Sequence, residues 1–294
     1  MKKYILILCL AALLNACKEE GPYIDFTPTR IKVIGDTDYV SSTLAVPQSH
    51  HVLLEDITGV KCPNCPASHD VAKNISDANP GRIVILALHG YTNPIFTDPG
   101  AAALGFTDFR DSTANYIITQ LLDNPSALPQ GGINRKLFSG ETKRFIDYSK
   151  WSTYIGQELA LITPVNLEIT NTYNATTREL TSVVKMELTQ TLTGDLYLSV
   201  GITENNIIAK QKDPTTTIVN YVHNHIFRKM LTTEAGLKIN KAPITLDAKQ
   251  VVIRVFKYTL PSLPVVWNAS NCNTVAILHD GNINVVQCAE KKIL

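Results

Sequence analysis

Apolar residues along the chain fall into short runs separated by turn formers. Residues 51–58 (His51-Val52-Leu53-Leu54-Glu55-Asp56-Ile57-Thr58) form one such run, with two acids near its end, between Pro47 and Gly59. Residues 82–89 (Arg82-Ile83-Val84-Ile85-Leu86-Ala87-Leu88-His89) are apolar at nearly every position. Runs of this length predict strands, and near-continuous apolarity predicts burial on both faces, as inside a parallel sheet. Between them, 67–78 holds helix-tolerant residues, opened by Pro66 and stopped by Asn79-Pro80-Gly81, which is where proline and glycine punctuate a helix. Further helices are predicted at 108–122 and 144–159. Strand, turn, helix, strand is therefore the order over 51–89.

The pattern changes after Ile162-Thr163-Pro164. Val165-Asn166-Leu167-Glu168-Ile169-Thr170 alternates apolar and polar residues, as a half-buried strand does. Strands are predicted at 165–170, 180–188, 196–203, 220–231, 251–260, 274–279 and 283–287. Their spacing of roughly 8 to 12 residues predicts an immunoglobulin-like β-sandwich. Asp280-Gly281-Asn282 reads as the hairpin turn joining the last two. It leaves Cys272 and Cys288 at comparable distances from the turn. A disulfide between them is expected, closing a loop of about 17 residues and contributing roughly 3 kcal/mol in the chain-entropy model.

The N-terminus adds a location. Met1-Lys2-Lys3 and the apolar stretch 4–14 have the lysine start and short apolar centre of a secretory signal, too short to span a bilayer. Leu14-Asn15-Ala16-Cys17 resembles the lipobox of bacterial lipoproteins, which implies that Cys17 is a lipid anchor to the membrane. Lys18-Glu19-Glu20 resembles the signal that sends some Bacteroidota lipoproteins to the cell surface. The expected division is a signal peptide at 1–16, a tether at 17–46, an α/β domain at 47–162 and the β-sandwich at 163–294. Among the 294 residues, 27 Lys and Arg stand against 26 Asp and Glu, so no electrostatic footprint for nucleic acid exists. With 45% hydrophobic and 18% charged residues, the chain can bury a sizeable core and has room for about two domains. No later apolar run reaches membrane-spanning length, and no internal repeat or low-complexity tract occurs.

Export decides how the six cysteines are read. Cys9 leaves with the signal and Cys17 carries lipid, so Cys62 with Cys65 and Cys272 with Cys288 remain. An even remainder in an exported chain favours disulfides over zinc sites. Gly59-Val60-Lys61-Cys62-Pro63-Asn64-Cys65-Pro66-Ala67-Ser68 sets a CxxC between strand and helix. Cys62 is placed at the helix N-terminus, where free N–H groups and the helix dipole stabilise a thiolate. Lys61 either adds positive charge beside that thiolate or points into water.

This order resembles the thioredoxin fold. The resemblance implies that Asp56, six residues before Cys62, is a buried acid assisting proton transfer, with Glu55 the neighbour able to replace it. It also implies that Ala127-Leu128-Pro129-Gln130-Gly131-Gly132-Ile133-Asn134-Arg135 carries a cis-proline, Pro129, and that Leu128 offers backbone to an extended substrate. Two departures stand out: Lys61 replaces the aromatic residue usual before the first cysteine, and the segment from Leu88 to Pro129, including 93–100, is longer than thioredoxins carry. Over nearly the whole chain, Glu55-Asp56-Ile57-Thr58-Gly59, the Cys62 to Pro66 motif, Ile133-Asn134-Arg135 and Tyr221-Val222-His223-Asn224-His225 resemble the Bacteroidota lipoproteins called outer-membrane-protein-28-related. That resemblance implies a thioredoxin-like domain followed by a β-rich domain on a lipidated N-terminus, at the outer membrane, facing the periplasm or the cell surface.

The expected fold class is thus an α/β thioredoxin-like domain followed by an all-β immunoglobulin-like sandwich. The expected function is thiol-disulfide exchange on the thiols or disulfides of exported proteins, without a cofactor. Cys62 attacks, Cys65 resolves, Asp56 or Glu55 moves protons, and Pro129 and Leu128 bind substrate. Two other classes remain open. One is a binding or adhesion lipoprotein in which Cys62 and Cys65 form a permanent staple. The other is a copper or zinc carrier using Cys62, Cys65 and His69, which lies four residues beyond Cys65 on the same helical face. His223 and His225 fall on one strand face, yet two ligands do not make a site, and His50-His51 is discounted likewise, so no metal is expected. Asp111-Ser112-Thr113 matches the short O-glycosylation acceptor pattern of Bacteroidota.

Overall fold

The structure, a computed structural model, describes residues 35–240, 245–263 and 266–294. The expected signal peptide, the Cys17 anchor and Lys18-Glu19-Glu20 lie outside the described residues. In chain order the first elements are β1 (Thr37–Val40), β2 (Val52–Ile57), α1 (Cys65–Ala78), β3 (Ile83–Leu88), the single-turn α2 (Pro94–Thr97), α3 (Ser112–Tyr116) running into a π-helical turn at Ile117–Leu121, β4 (Gln130–Ile133), β5 (Phe145–Ile146) and α4 (Trp151–Leu159). Strands follow: β6 (Val165–Asn174), β7 (Glu179–Leu188), β8 (Leu192–Thr193), β9 (Leu196–Glu204), β10 (Ile207–Lys212), β11 (Thr217–His223) and β12 (Ile226–Met230). The last are β13 (Leu237–Lys238), β14 (Thr245–Leu246), β15 (Gln250–Thr259), β16 (Cys272–Asp280) and β17 (Val285–Lys292).

One nine-stranded sheet organises the molecule, in the order β17-β16-β9-β12-β3-β2-β4-β5, with β13 also on β9. β2 and β3 run parallel, from Val52 opposite Ile83 to Ile57 opposite Leu88. β12 joins the free side of β3 in parallel at Ile226 opposite Ala87, and β9 pairs antiparallel with β12. A four-stranded antiparallel sheet, β1-β15-β7-β6, packs through Val184, Met186 and Phe256 against Val200, Ile202 and Leu278 of the large sheet. β10 and β11 form a separate hairpin.

Successive side chains of a strand point to opposite faces, and β2 and β3 use both. Val52, Leu54, Ile83 and Ile85 pack with Ala72 and Ile75 of α1 and Trp151 and Ile155 of α4. Leu53, Ile57, Val84 and Leu86 pack on the other side with Ile117 and Ile118. Glycine lets a helix and a turn approach β4 closely: a Cβ on Gly131 would lie 2.6 Å from Trp151 Cζ2, and one on Gly132 would lie 2.4 Å from Leu122 Cδ2.

The expected fold class, a thioredoxin-like α/β domain followed by an immunoglobulin-like sandwich, is overturned. The protein is mostly β-sheet, and its two longest helices among the described residues have 14 and 9 residues. β9, β12, β16 and β17, all from the C-terminal half, continue the sheet that β2 to β5 begin. The physical reason is at β3, which is buried along its whole length and must satisfy backbone groups on both sides. Residues 220–231, expected as one strand, supply the missing partner by breaking at Asn224-His225. His225 adopts φ 57°, so β11 pairs with β10 while β12 enters the large sheet beside β3. The helix expected at 144–159 begins only at Trp151, because Phe145 pairs with Gly132 and Ile146 with Gly131.

The expected Cys272–Cys288 disulfide is also corrected: both are free, buried thiols. The hairpin register sets Cys288 opposite Ile277 and Asn273 opposite Lys292, so the cysteines are offset by five residues along it. At about 3.3 Å per residue that is roughly 16 Å, far beyond the roughly 4.4–6.8 Å between Cα atoms that a disulfide spans.

Candidate functional site

Cys62 and Cys65 are joined by a disulfide, with their Cα atoms 5.4 Å apart. α1 begins at Cys65, with Pro66 in its first turn. Cys65 rather than Cys62 therefore meets the free N–H groups and positive end of the helix. Cys62 occupies the turn before it, donating from its N–H to Gly59 O at 3.0 Å. Both cysteines are completely buried.

Two pieces of chain roof the disulfide. The β10–β11 hairpin bonds to the CxxC loop through the buried Gln211, whose Nε2 donates to Gly59 O at 3.2 Å and to Cys62 O at 3.0 Å. Lys212 N–H adds a bond to Val60 O at 2.8 Å. From the long segment after β3, Phe96 O accepts from Lys61 N–H at 2.8 Å, and Phe96 packs on the cluster that contains both cysteines. Gly59 permits this approach, since a Cβ there would lie 2.5 Å from Phe96 O. Leu128 belongs to the same cluster. The Leu128–Pro129 peptide is cis, and both residues are buried. Lys61 is half-buried and its ammonium lies against Gly100.

The alternation of β2 separates the two acids. Glu55 faces the side of Leu53 and Ile57, where the equally buried Arg135 holds it: Nε donates to both carboxylate oxygens at 3.0 Å, and Nη2 to Oε1 at 2.6 Å. Glu55 is thereby committed to an ion pair that ties β2 to the turn after β4. Asp56 faces α1. It is 2% exposed, and burial pushes its carboxyl up to about 8, so it holds a proton at neutral pH. Its Oδ1 has no hydrogen-bond partner among the described residues. Its Oδ2 lies 3.4 Å from His69 Nε2.

His69, one turn beyond Cys65, connects Asp56 to the hairpin. Thr58 Oγ1 lies 3.0 Å from His69 Nε2 and Tyr221 Oη lies 2.7 Å from Nδ1. Burial, with His223 and His225 nearby, pushes His69 down to about 3. Imidazole and carboxyl are thus both uncharged at neutral pH. Asp56, His69, Tyr221, His223 and His225 line a cleft of about 430 Å³ between α1 and the hairpin, with Lys73 and Asp77 at the helix side. Among the described residues, no group of three or more His, Cys, Asp or Glu is placed to hold a metal ion.

The remaining sequence candidates have structural roles. His51 Nδ1 lies 3.1 Å from Cys288 O, and His50 Nε2 lies 3.2 Å from Asn134 Nδ2. Asn134 ties β2 to the C-terminal strands: its Oδ1 accepts from Leu53 N–H at 2.8 Å and its carbonyl accepts from Val285 N–H at 2.9 Å. Asp111 caps α3 by accepting from the N–H groups of Thr113 and Ala114. Sequence reasoning missed Gln211, the pairing of Arg135 with Glu55, and the role of Tyr221. All three act across 80 or more residues, a separation that leaves no local signal.

Among solved structures, HBP35 of Porphyromonas gingivalis superimposes with a TM-score of 0.62 at 15% identity, over 83% of this chain and 76% of that one. At that identity the similarity is one of fold. Protein AGR_C_4864 from Agrobacterium tumefaciens matches with a TM-score of 0.47 at 9% identity, over 85% of this chain and 97% of that one. A domain of the outer membrane lipoprotein Omp28 from Porphyromonas gingivalis matches with a TM-score of 0.28 at 16% identity, over 45% of this chain and 90% of that one. No curated protein matches the sequence. The model of the family described as outer membrane protein Omp28 matches residues 123–294, more than half of the chain, and the chain belongs to that family of outer membrane proteins.

Proposed function

We propose that this outer membrane protein, held by lipid on Cys17, exchanges disulfides with the thiols of exported proteins through Cys62 and Cys65. The observation that supports this reading is a disulfide closed at the start of α1 while a buried, protonated acid, Asp56, lies on the strand leading into it. A partner thiolate attacks Cys62 Sγ, the S–S bond breaks, and Cys65 leaves as a thiolate that takes up a proton. A second partner thiol then displaces Cys62, so the pair is reduced and the partner oxidised; the reverse sequence delivers a disulfide. Leu128 and Pro129 are the proposed contact for the partner's extended backbone once the roof lifts. Cys65→Ser should accumulate mixed disulfides between Cys62 and exported proteins, whereas Cys62→Ser should accumulate none, read on non-reducing gels of envelope extracts.

A second reading has its own support. Complete burial of both sulfurs under a hydrogen-bonded roof favours a permanent staple in a binding lipoprotein, because exchange-active cysteines are ordinarily accessible. Capture of nothing by Cys65→Ser would put that reading first.

A further inference from the structure

We propose that His69 and Tyr221 form a proton path between the buried Asp56 and the cleft beside α1, serving disulfide exchange as relay and positioning residues. The inference rests on the exchange reading. Asp56 is nearly sealed from solvent, with Oδ1 unpartnered among the described residues. Its other oxygen lies 3.4 Å from His69 Nε2, which also has the Thr58 hydroxyl at 3.0 Å, and His69 Nδ1 lies 2.7 Å from Tyr221 Oη. Tyr221 is half-buried and lines the cleft. Imidazole suits the middle position because one ring nitrogen can accept while the other donates. Four residues separate His69 from Cys65, a rise of about 6 Å along one helical face. His69 therefore lies one helical turn from the residue whose sulfur leaves.

The proton count closes. When a thiol reductant attacks Cys62 and supplies the electron pair, the S–S bond breaks and Cys65 leaves as a thiolate that takes the proton of Asp56. A buried carboxylate without a partner is costly, so the transfers are coupled within one step: as the Asp56 proton leaves, His69 Nε2–H passes its own to Asp56, Nδ1 takes one from the Tyr221 hydroxyl, and water in the cleft reprotonates Tyr221. One proton enters from solvent for each S–S bond broken. The ionisable groups around the path are Asp70, Lys73 and Asp77 on α1, with Tyr221, His223 and His225 from the hairpin side. Burial, with His223 and His69 nearby, lowers His89, just past the end of β3. Glu55 faces the opposite side of the sheet and is held by Arg135.

A purely structural Tyr221 would anchor the hairpin to α1 and affect stability alone. The distinguishing experiment follows reduction of Cys62–Cys65 by dithiothreitol across pH in the full chain. Tyr221→Phe, which keeps the ring and loses the hydroxyl, and His69→Ala should each slow reduction roughly a hundredfold, the lower end of what a general acid or base contributes. Added imidazole should restore His69→Ala, and His69→Ala combined with Asp56→Asn should be no slower than Asp56→Asn alone. Wild-type rates in Tyr221→Phe, or a His69→Ala loss that imidazole does not restore and that adds to Asp56→Asn, would overturn the path while leaving the exchange reading intact. A wild-type disulfide that dithiothreitol does not reduce would overturn both.

Discussion

Glu55 and Asp56 are adjacent in sequence, and their environments differ because a strand alternates faces. On one face Glu55 meets Arg135, both at most 1% exposed. Removing one partner strands the other charge, so Arg135→Met should cost about 3–5 kcal/mol in chemical unfolding, and Glu55→Leu with Arg135→Met should recover most of it. On the other face Asp56 is raised from 3.8 to about 8. The folded state then binds more protons than the unfolded state between those values, and the contribution of Asp56 is full below about pH 4 and lost as pH rises to about 8. Asp56→Asn, neutral throughout, should therefore raise Tm relative to wild type near pH 8 and not near pH 4. His69, lowered from 6.5 to about 3, acts in the opposite sense, with stability present above 6.5 and lost as pH falls; both proteins share that loss. The CxxC was legible from its spacing, and Asp56 as a buried acid only through the resemblance to thioredoxins. The choice between the two acids was not, since alternation assigns opposite faces but only tertiary packing decides which face α1 covers.

At the level of elements, hydrophobic period located β2, β3, α1, β6, β7, β9 and β15 to within a few residues, because each has a face that must be buried. It failed where burial comes from elsewhere. β10, Ile207-Ile208-Ala209-Lys210-Gln211-Lys212, has a mixed pattern and exposes Ile208, yet it supplies Gln211 to the roof. Residues 220–231 look continuous until His225 turns the backbone. Counting from the turn pairs Cys272 with Cys288, but the register offsets them. Burial pushes Cys272 up to about 12 and Cys288 well above its ordinary value, so neither forms thiolate at neutral pH. Both should resist alkylation in the folded protein and react fully once it is unfolded without reductant, as peptide mapping would show; a Cys272–Cys288 crosslink would contradict the register.

Across the whole molecule, the sequence pattern suggested two bodies because strand signals carry no information about which strand lies beside which. β12 enters between β3 and β9, and so one sheet runs from β5 at one edge to β17 at the other. The roof over Cys62 and Cys65 is a product of that arrangement: β11 and β12 are consecutive, and fixing β12 beside β3 brings the β10–β11 hairpin over the 59–62 loop. The site is thus assembled from both halves of the chain. Whether the roofed disulfide exchanges or merely staples is read by its own potential. Equilibration of the full chain against glutathione buffers of graded ratio should give a potential for Cys62–Cys65 above about −300 mV, the region below which structural disulfides lie; a value below it, with the pair oxidised at every ratio, would contradict disulfide exchange.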